Sequence, residues 1–353
     1  MLRICSYNIL AQTLATSSFF PYAGNHLKKA KRIPLILERI SGLRADVICI
    51  SEAFPEVCQS LEATGYGVIF KPRAGRPYGV ALAFKKSSVE CLGSASLDFD
   101  DAALAIECGA AAEGPPQAAE VFRTSSLALF ASMRLKEEGE GGGGGGGGAG
   151  AGTGKPFLVG ATHLFWDPRL ECVKACQAVA LKLAFADFAS KFGSAHTPLF
   201  LGGDFNSMPG SWVCRVLEDH PFPASSGDVA EWDVLSREPK DRDAEQVKAW
   251  CARLQQQLKA ELGLPIPTKQ SLEVAPGEGP RLTSLYTVGR SECEITTYTH
   301  TFQACIDYVY ALGKVSPSGL THIPVPTKAE LGGPIPSAME PSDHLPLGVE
   351  IPL

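Results

Sequence analysis

No apolar run in the 353-residue chain approaches the ~18 residues needed to span a bilayer, so no membrane-crossing segment is expected. Nor is there an excess of basic residues: 32 Lys and Arg stand against 38 Asp and Glu, a formal net charge of -6. Nonspecific affinity for nucleic acid comes from neutralising many phosphates, so this balance argues against a protein that holds nucleic acid by bulk electrostatics. Any such ligand would be gripped locally, with metal cations helping. No basic, Ser-rich or signal-like leader precedes the first strand. The eleven cysteines show no repeating pattern. Cys5, Cys49 and Cys305 lie in apolar runs, where a thiol packs as a small hydrophobe, and this points to a reducing compartment. Cys172 and Cys176 stand one helical turn apart, yet no second Cys/His pair of zinc spacing accompanies them, so zinc is not expected. A cytoplasmic or nuclear protein is the expectation.

What is present is an apolar fraction of 45%, enough for a substantial core. The length would allow two average domains, but one catalytic domain over residues 1–353 is expected. Two stretches interrupt it. Residues 137–154, EEGEGGGGGGGGAGAGTG, cannot bury enough apolar surface to offset their chain entropy and read as a disordered loop tip inside a hairpin. Residues 221–280 read as an insertion, with an amphipathic helix over Asp243–Leu262.

Strands, helices and hairpins interleave along the rest, which predicts a mixed α/β architecture. Leu2–Ile9 reads as a strand that sets Asn8 at its end. Ile33–Leu43 reads as a helix with Pro34 in its first turn, and the basic cluster Lys28, Lys29, Lys31 and Arg32 before it reads as a solvated helix start. Asp46–Ser51 is a continuous apolar run, a fully buried strand running into Glu52. Hairpins are expected over Tyr66–Phe84 and Leu127–Phe165, the second placing His163 at a strand end, followed by a helix over Arg169–Phe192. Leu199–Ser211 brings a buried strand to Asp204 and Asn206, whose i, i+2 spacing points both side chains the same way. A strand over Cys305–Tyr310 carries Asp307, and Asp343 and His344 directly precede the last strand.

Asn8, Glu52, His163, Asp204, Asn206, Asp307, Asp343 and His344 all sit at or beside the end of a predicted strand. If those ends share one rim, carboxylates, amides and imidazoles meet in a cleft. Hard oxygen ligands suit Mg²⁺ or Mn²⁺ rather than zinc. The His and Asn donors are what the transition state of a phosphodiester needs on its equatorial oxygens, so metal-assisted phosphoryl hydrolysis is the indicated chemistry.

SYNILAQ, ISEAF, GVALAFKK, THLFWDP, LGGDFNSMP, TYTHTFQACIDYVY and PSDHLPL occur in this order from Ser6 to Leu347. In them the chain resembles the endonuclease/exonuclease/phosphatase superfamily, and more narrowly the branch of CCR4-type deadenylases, nocturnin, the Angel proteins and the 2′,5′-phosphodiesterase. The resemblance implies a DNase I-like, four-layered sandwich of two mixed β-sheets flanked by helices. It implies that Glu52 holds the principal Mg²⁺ with Asn8 beside it and Asp343 completing the metal region. Asp204 would orient or deprotonate the attacking water, with Asn206 and His163 on phosphoryl oxygens. His344, held by Asp307, would stabilise the transition state, and Pro168 and Phe302 would border the nucleobase. The chain departs from the family where an acid-Gly-Cys-Ala is usual, with Tyr78-Gly79-Val80-Ala81, and where Asn-Tyr-Thr is usual, with Thr297-Tyr298-Thr299. It also lacks the leucine-rich repeats by which CCR4-type deadenylases join their complex. The expected activity is a Mg²⁺-dependent 3′–5′ exoribonuclease that degrades poly(A) to 5′-AMP, its partner the RNA 3′ end. The rivals are a 2′,5′-oligoadenylate phosphodiesterase, a nocturnin-like NADP(H) 2′-phosphatase and, from another class, a noncatalytic RNA-binding scaffold.

Overall fold

A computed structural model describes residues 1–108, 122–136, 154–194, 197–218, 281–288, 293–312 and 319–353. The insertion over 221–280, its amphipathic helix, and all but the last residue of the Gly-rich stretch lie outside the described residues.

The apolar strands pair into two six-stranded mixed sheets. The first contains β1 (Leu2–Asn8), β2 (Val47–Ala53), β3 (Tyr66–Pro72), β4 (Gly79–Lys85), β13 (Thr321–His322) and β14 (Leu347–Ile351), in the order β13-β14-β1-β2-β4-β3. The second contains β5 (Val89–Asp98), β6 (Leu127–Leu135), β7 (Pro156–His163), β8 (Leu199–Asp204), β9 (Leu282–Ser284) and β12 (Asp307–Leu312), in the order β5-β6-β7-β8-β12-β9. A two-stranded ribbon, β10 (Thr297–Tyr298) with β11 (Gln303–Ala304), stands apart. Each large sheet has one parallel pair at its centre, β1 with β2 and β7 with β8.

Period-two alternation divides the apolar residues between layers. Ile4, Val47 and Cys49 face Val159, Ala161, Phe200 and Val309 across the gap between the sheets. Their neighbours Cys5, Tyr7, Ile48 and Ile50 face outward and are covered by α1 (Lys29–Leu43) and α2 (Pro55–Ala63). On the other side, α3 (Phe99–Cys108), α4 (Glu171–Phe192) and α5 (Trp212–Glu218) cover the second sheet, where Phe130 stacks on Phe185 with centroids 5.0 Å apart. The result is the expected four-layered sandwich. Gly202 allows the sheets to touch below the cleft: a Cβ there would lie 2.9 Å from Cys49 Sγ.

Local departures from the sequence reading have physical causes. The helix α1 begins at Lys29, so Pro34 sits in its second turn rather than its first. Arg32 is not solvated but fully buried, because loop carbonyls beside the cleft need donors. Its guanidinium donates to the carbonyls of Pro341 at 2.8 Å, Ile9 at 2.8 Å and Leu10 at 2.6 Å, and to Gln12 Oε1 at 2.9 Å. The strand β12 starts at Asp307, leaving Cys305 outside it. The edge strand β5, short of large apolar side chains, gave no strand signal. No helix among the described residues is long and apolar enough to cross a membrane.

Candidate active site

Register sets the site. His163 at the end of β7 pairs with Asp204 on parallel β8, and Asp307 on antiparallel β12 pairs with Asp204 from the other side, so three functional groups stand abreast. The close approach of β7 to β8 requires Gly203, where a Cβ would meet the Thr162 carbonyl oxygen at 2.1 Å. In the first sheet Asn8 shares the inward face with Ile4, whereas strict alternation would send Glu52 outward with Ile48 and Ile50. A bulge between Ser51 and Ala53, with Glu52 at φ 57°, turns its carboxylate back into the cleft. Asn206 also adopts a left-handed backbone, φ 49°, which Asn tolerates better than most residues. Its N–H donates to Asp204 Oδ1 at 2.8 Å, its amide to the Leu164 carbonyl at 3.1 Å, and its carbonyl accepts from Lys174 Nζ at 2.9 Å.

One amide joins the sheets. Asn8 Nδ2 donates to Asp204 Oδ2 at 2.9 Å and to Glu52 Oε1 at 3.2 Å, while its Oδ1 accepts from the Leu10 N–H at 3.0 Å. The second Glu52 oxygen accepts from the Ala11 N–H at 2.7 Å. His344 Nδ1 lies 2.8 Å from Asp307 Oδ2, a distance at which an Nδ1–H donates to the carboxylate and leaves Nε2 toward the cleft. The Nε2 atoms of His344 and His163 lie 3.7 and 3.6 Å from the same Asp204 oxygen, too far for direct hydrogen bonds. Asp307 Oδ1 and His163 Nδ1 have no partner among the described residues.

Burial dominates the charges. It pushes Asp204 up to about 7, with Asp307 adding to the rise and His344 opposing it. Glu52 is raised by burial and then by the neighbouring Asp343, and Asp343 itself is raised by burial against the pull of His344. Burial lowers His163 well below the usual imidazole range, helped by the charge of Arg73, so its ring is neutral. Burial would lower His344 as well, but Asp307, Asp204 and Asp343 outweigh it and hold the imidazole protonated. Carboxyls raised by burial are a set short of cationic charge, which suits a cation-binding site. Asp204, Asp307 and His344 bring one ligand atom each within 4.8 Å of one another. A protonated His344 cannot ligate, however, so the oxygen donors of Glu52, Asp343 and Asn8 fit a hard divalent ion better.

The cleft is lined by Glu52, His163, Asp204, Asn206, Asp343 and His344, with Pro168 and Phe302 on its rim. Asn8 and Asp307, each 1% exposed, stand behind this surface and bond to its members. Arg73, Tyr78 and Trp166 line it too, and of these the sequence reading had placed only Tyr78 near the substrate. Arg73, buried, donates from its terminal guanidinium nitrogen to the His163 carbonyl at 3.0 Å. The signal for Arg73 was a basic hairpin tip, KPRAGRP, and for Trp166 an aromatic beside Pro168.

Residues 5–344 match the Endonuclease/Exonuclease/phosphatase family. The chain belongs to that family. Its relatives include the carbon catabolite repressor protein 4 homolog 4 of Arabidopsis thaliana, 27% identical over 99% of this chain and 76% of that protein. The 2′,5′-phosphodiesterase 12 of Mus musculus is 24% identical over 98% of this chain, which spans about half, 51%, of its length. Among solved structures, ANGEL2, described as a 2′,3′-cyclic phosphatase, superposes with a TM-score of 0.68 at 22% identity, covering 99% of this chain and 94% of that one. This likeness shows the shared fold. Membership makes the chain a hydrolase of a family of nucleases, phosphodiesterases and phosphatases.

Proposed function

We propose that the chain is a divalent-metal-dependent ribonuclease that shortens single-stranded RNA from its 3′ end, releasing nucleoside 5′-monophosphates, with adenylate tails preferred. The observation that carries this reading is the convergence of Pro168 and Phe302 with Glu52, His163, Asp204 and His344 on one cleft. Two relatives point the same way: the Arabidopsis protein is named for carbon catabolite repressor protein 4, and a yeast relative is named a probable RNA exonuclease.

Glu52 and Asp343, with Asn8, would hold Mg²⁺ or Mn²⁺, which when bound supplies Lewis-acid polarisation of the phosphoryl group. Asp204, with a carboxyl near 7, is matched to take a proton from attacking water at neutral pH. Neutral His163 and the Asn206 amide offer uncharged donors to phosphoryl oxygens. His344, anchored through Nδ1 to Asp307, presents a charged Nε2–H where negative charge grows in the transition state. Pro168 and Phe302 present apolar faces for the terminal base, and stacking of this kind contributes roughly 1–3 kcal/mol per base.

The test offers the protein, with Mg²⁺, 5′-labelled RNA ending in adenylates, RNA of mixed 3′ sequence, 2′,5′-linked oligoadenylate, RNA ending in a 2′,3′-cyclic phosphate, and NADPH. Stepwise shortening of the adenylate-ended RNA ahead of the other substrates supports the proposal. Turnover confined to the 2′,5′ linkage, the cyclic phosphate or NADPH overturns it, as does a folded, metal-bound protein that acts on none.

A further inference from the structure

We propose that Trp166 is a stacking platform for a second nucleobase of a single-stranded substrate, next to the base at Pro168 and Phe302. The inference rests on the ribonuclease reading and deepens it. Trp166 is 59% exposed yet lines the cleft that holds Asp204 and His344. Exposing so large an apolar ring forgoes the stabilisation its burial would bring, and its one ring neighbour among the described residues, Phe165, meets it at 6.0 Å with the planes tilted by 58°. The backbone around it is fixed on both sides. The Leu164 N–H donates to the Asp204 carbonyl at 3.0 Å, the Phe165 N–H to Gln177 Oε1 at 3.0 Å, and the Leu170 N–H to the Asp167 carbonyl at 3.2 Å. Trp166 is therefore an open ring on a rigid rim two residues before Pro168, preorganised for a flat partner. The net charge of -6 gives a nucleic acid little nonspecific attraction, so affinity has to come from contacts inside the cleft. Tryptophan against a base supplies it without sequence preference, because every base has a π face.

The experiment measures binding of oligoadenylates of one to four nucleotides by calorimetry, in an Asp204→Ala background that leaves the ligand intact, with folding checked by circular dichroism. The expected result is a gain in affinity from one nucleotide to two that Trp166→Ala and Trp166→Leu abolish and Trp166→Phe largely keeps. Its size should be about fivefold to a hundredfold, the equivalent of the stacking of one base. Leucine would rescue a merely structural role, so it separates stacking from packing. Met339→Ala, at an exposed position of 81% that lines no part of the cleft, should leave the series unchanged. A second-nucleotide gain that persists in Trp166→Leu, or no gain in the Asp204→Ala background, overturns the inference while leaving the ribonuclease reading standing. A background protein that binds no oligoadenylate at all overturns both.

Discussion

Where β1 and β2 end, the first sheet presents Asn8 and Glu52 with Asp343 beside them, and the charges of His344 and, at Asp343, of Arg32 do not outweigh the burial that raises both carboxylates. Where β7, β8 and β12 end, the second sheet presents Asp204 and Asp307, and there His344 already carries the compensating charge, bonded to Asp307. The two walls solve one electrostatic problem differently. At the second, the proton-bearing cation is His344, which reaches across from the segment leading into β14 of the first sheet, while Glu52 and Asp343 remain carboxyls raised by burial, an arrangement that a divalent ion would relieve. The amide of Asn8, bonded to Glu52 and Asp204 together, couples the two walls, as do His344 bonded to Asp307 and Ser51, whose hydroxyl donates to the Thr162 carbonyl at 3.1 Å and accepts from the Asp204 N–H at 3.3 Å.

The comparison breaks most visibly at Asp204. Asp204→Ala should lower turnover of adenylate-ended RNA by about a thousandfold or more, since it removes the proposed base, while the melting temperature stays the same or rises as a strained buried carboxyl is lost. Initial rates and a thermal melt on one preparation check this. A smaller effect, about tenfold, is expected of Asp307→Asn at neutral pH. Removing that negative neighbour lowers the His344 pKa, so the imidazole loses its proton earlier and the alkaline limb of the pH–rate profile moves to lower pH.

A third prediction separates the walls by stability. Asp204, Glu52, Asp343 and His344 all have folded pKa values above their ordinary ones. Each contributes stability that is fully present below the unfolded pKa and lost as the pH rises through the folded value. For Asp204 that window runs from its ordinary 3.8 to about 7. His163, lowered, acts in the opposite sense and loses stability as the pH falls. With four groups against one, the metal-free protein should melt at a lower temperature at pH 8 than at pH 5. Added Mg²⁺ should raise the melting temperature more at pH 8, where it competes with fewer protons; scanning calorimetry at both pH values measures it. The smallest effect is expected below the cleft. Gly202→Ala pushes a Cβ against Cys49 Sγ and should cost about 1–3 kcal/mol in a urea melt.

The same division explains what the sequence made legible. The continuous apolar runs Val47–Ile50 and Leu199–Leu201 read as buried strands, and short polar residues at their ends marked the rim, so Asp204, Asn206, His163 and Glu52 were visible as a set. The bulge that aims Glu52 was not, because a one-residue slip in pairing leaves no trace in composition. Arg32 looked like one more lysine-rich helix start, since its partners are carbonyls from Ile9, Leu10 and Pro341, distant in the chain. Arg73 and Trp166 were hidden for a similar reason: nothing local says that a hairpin tip or a loop aromatic will end on the cleft wall.

The most direct measurement is the rate of shortening of adenylate-ended RNA as Mg²⁺ is titrated into the wild-type protein and into Glu52→Gln. The two-wall account predicts no shortening in chelator, a saturable rise with Mg²⁺ in the wild type, and a saturation point in Glu52→Gln displaced to at least about tenfold more metal. Shortening that persists in chelator, or superimposable titrations for the two proteins, would contradict it.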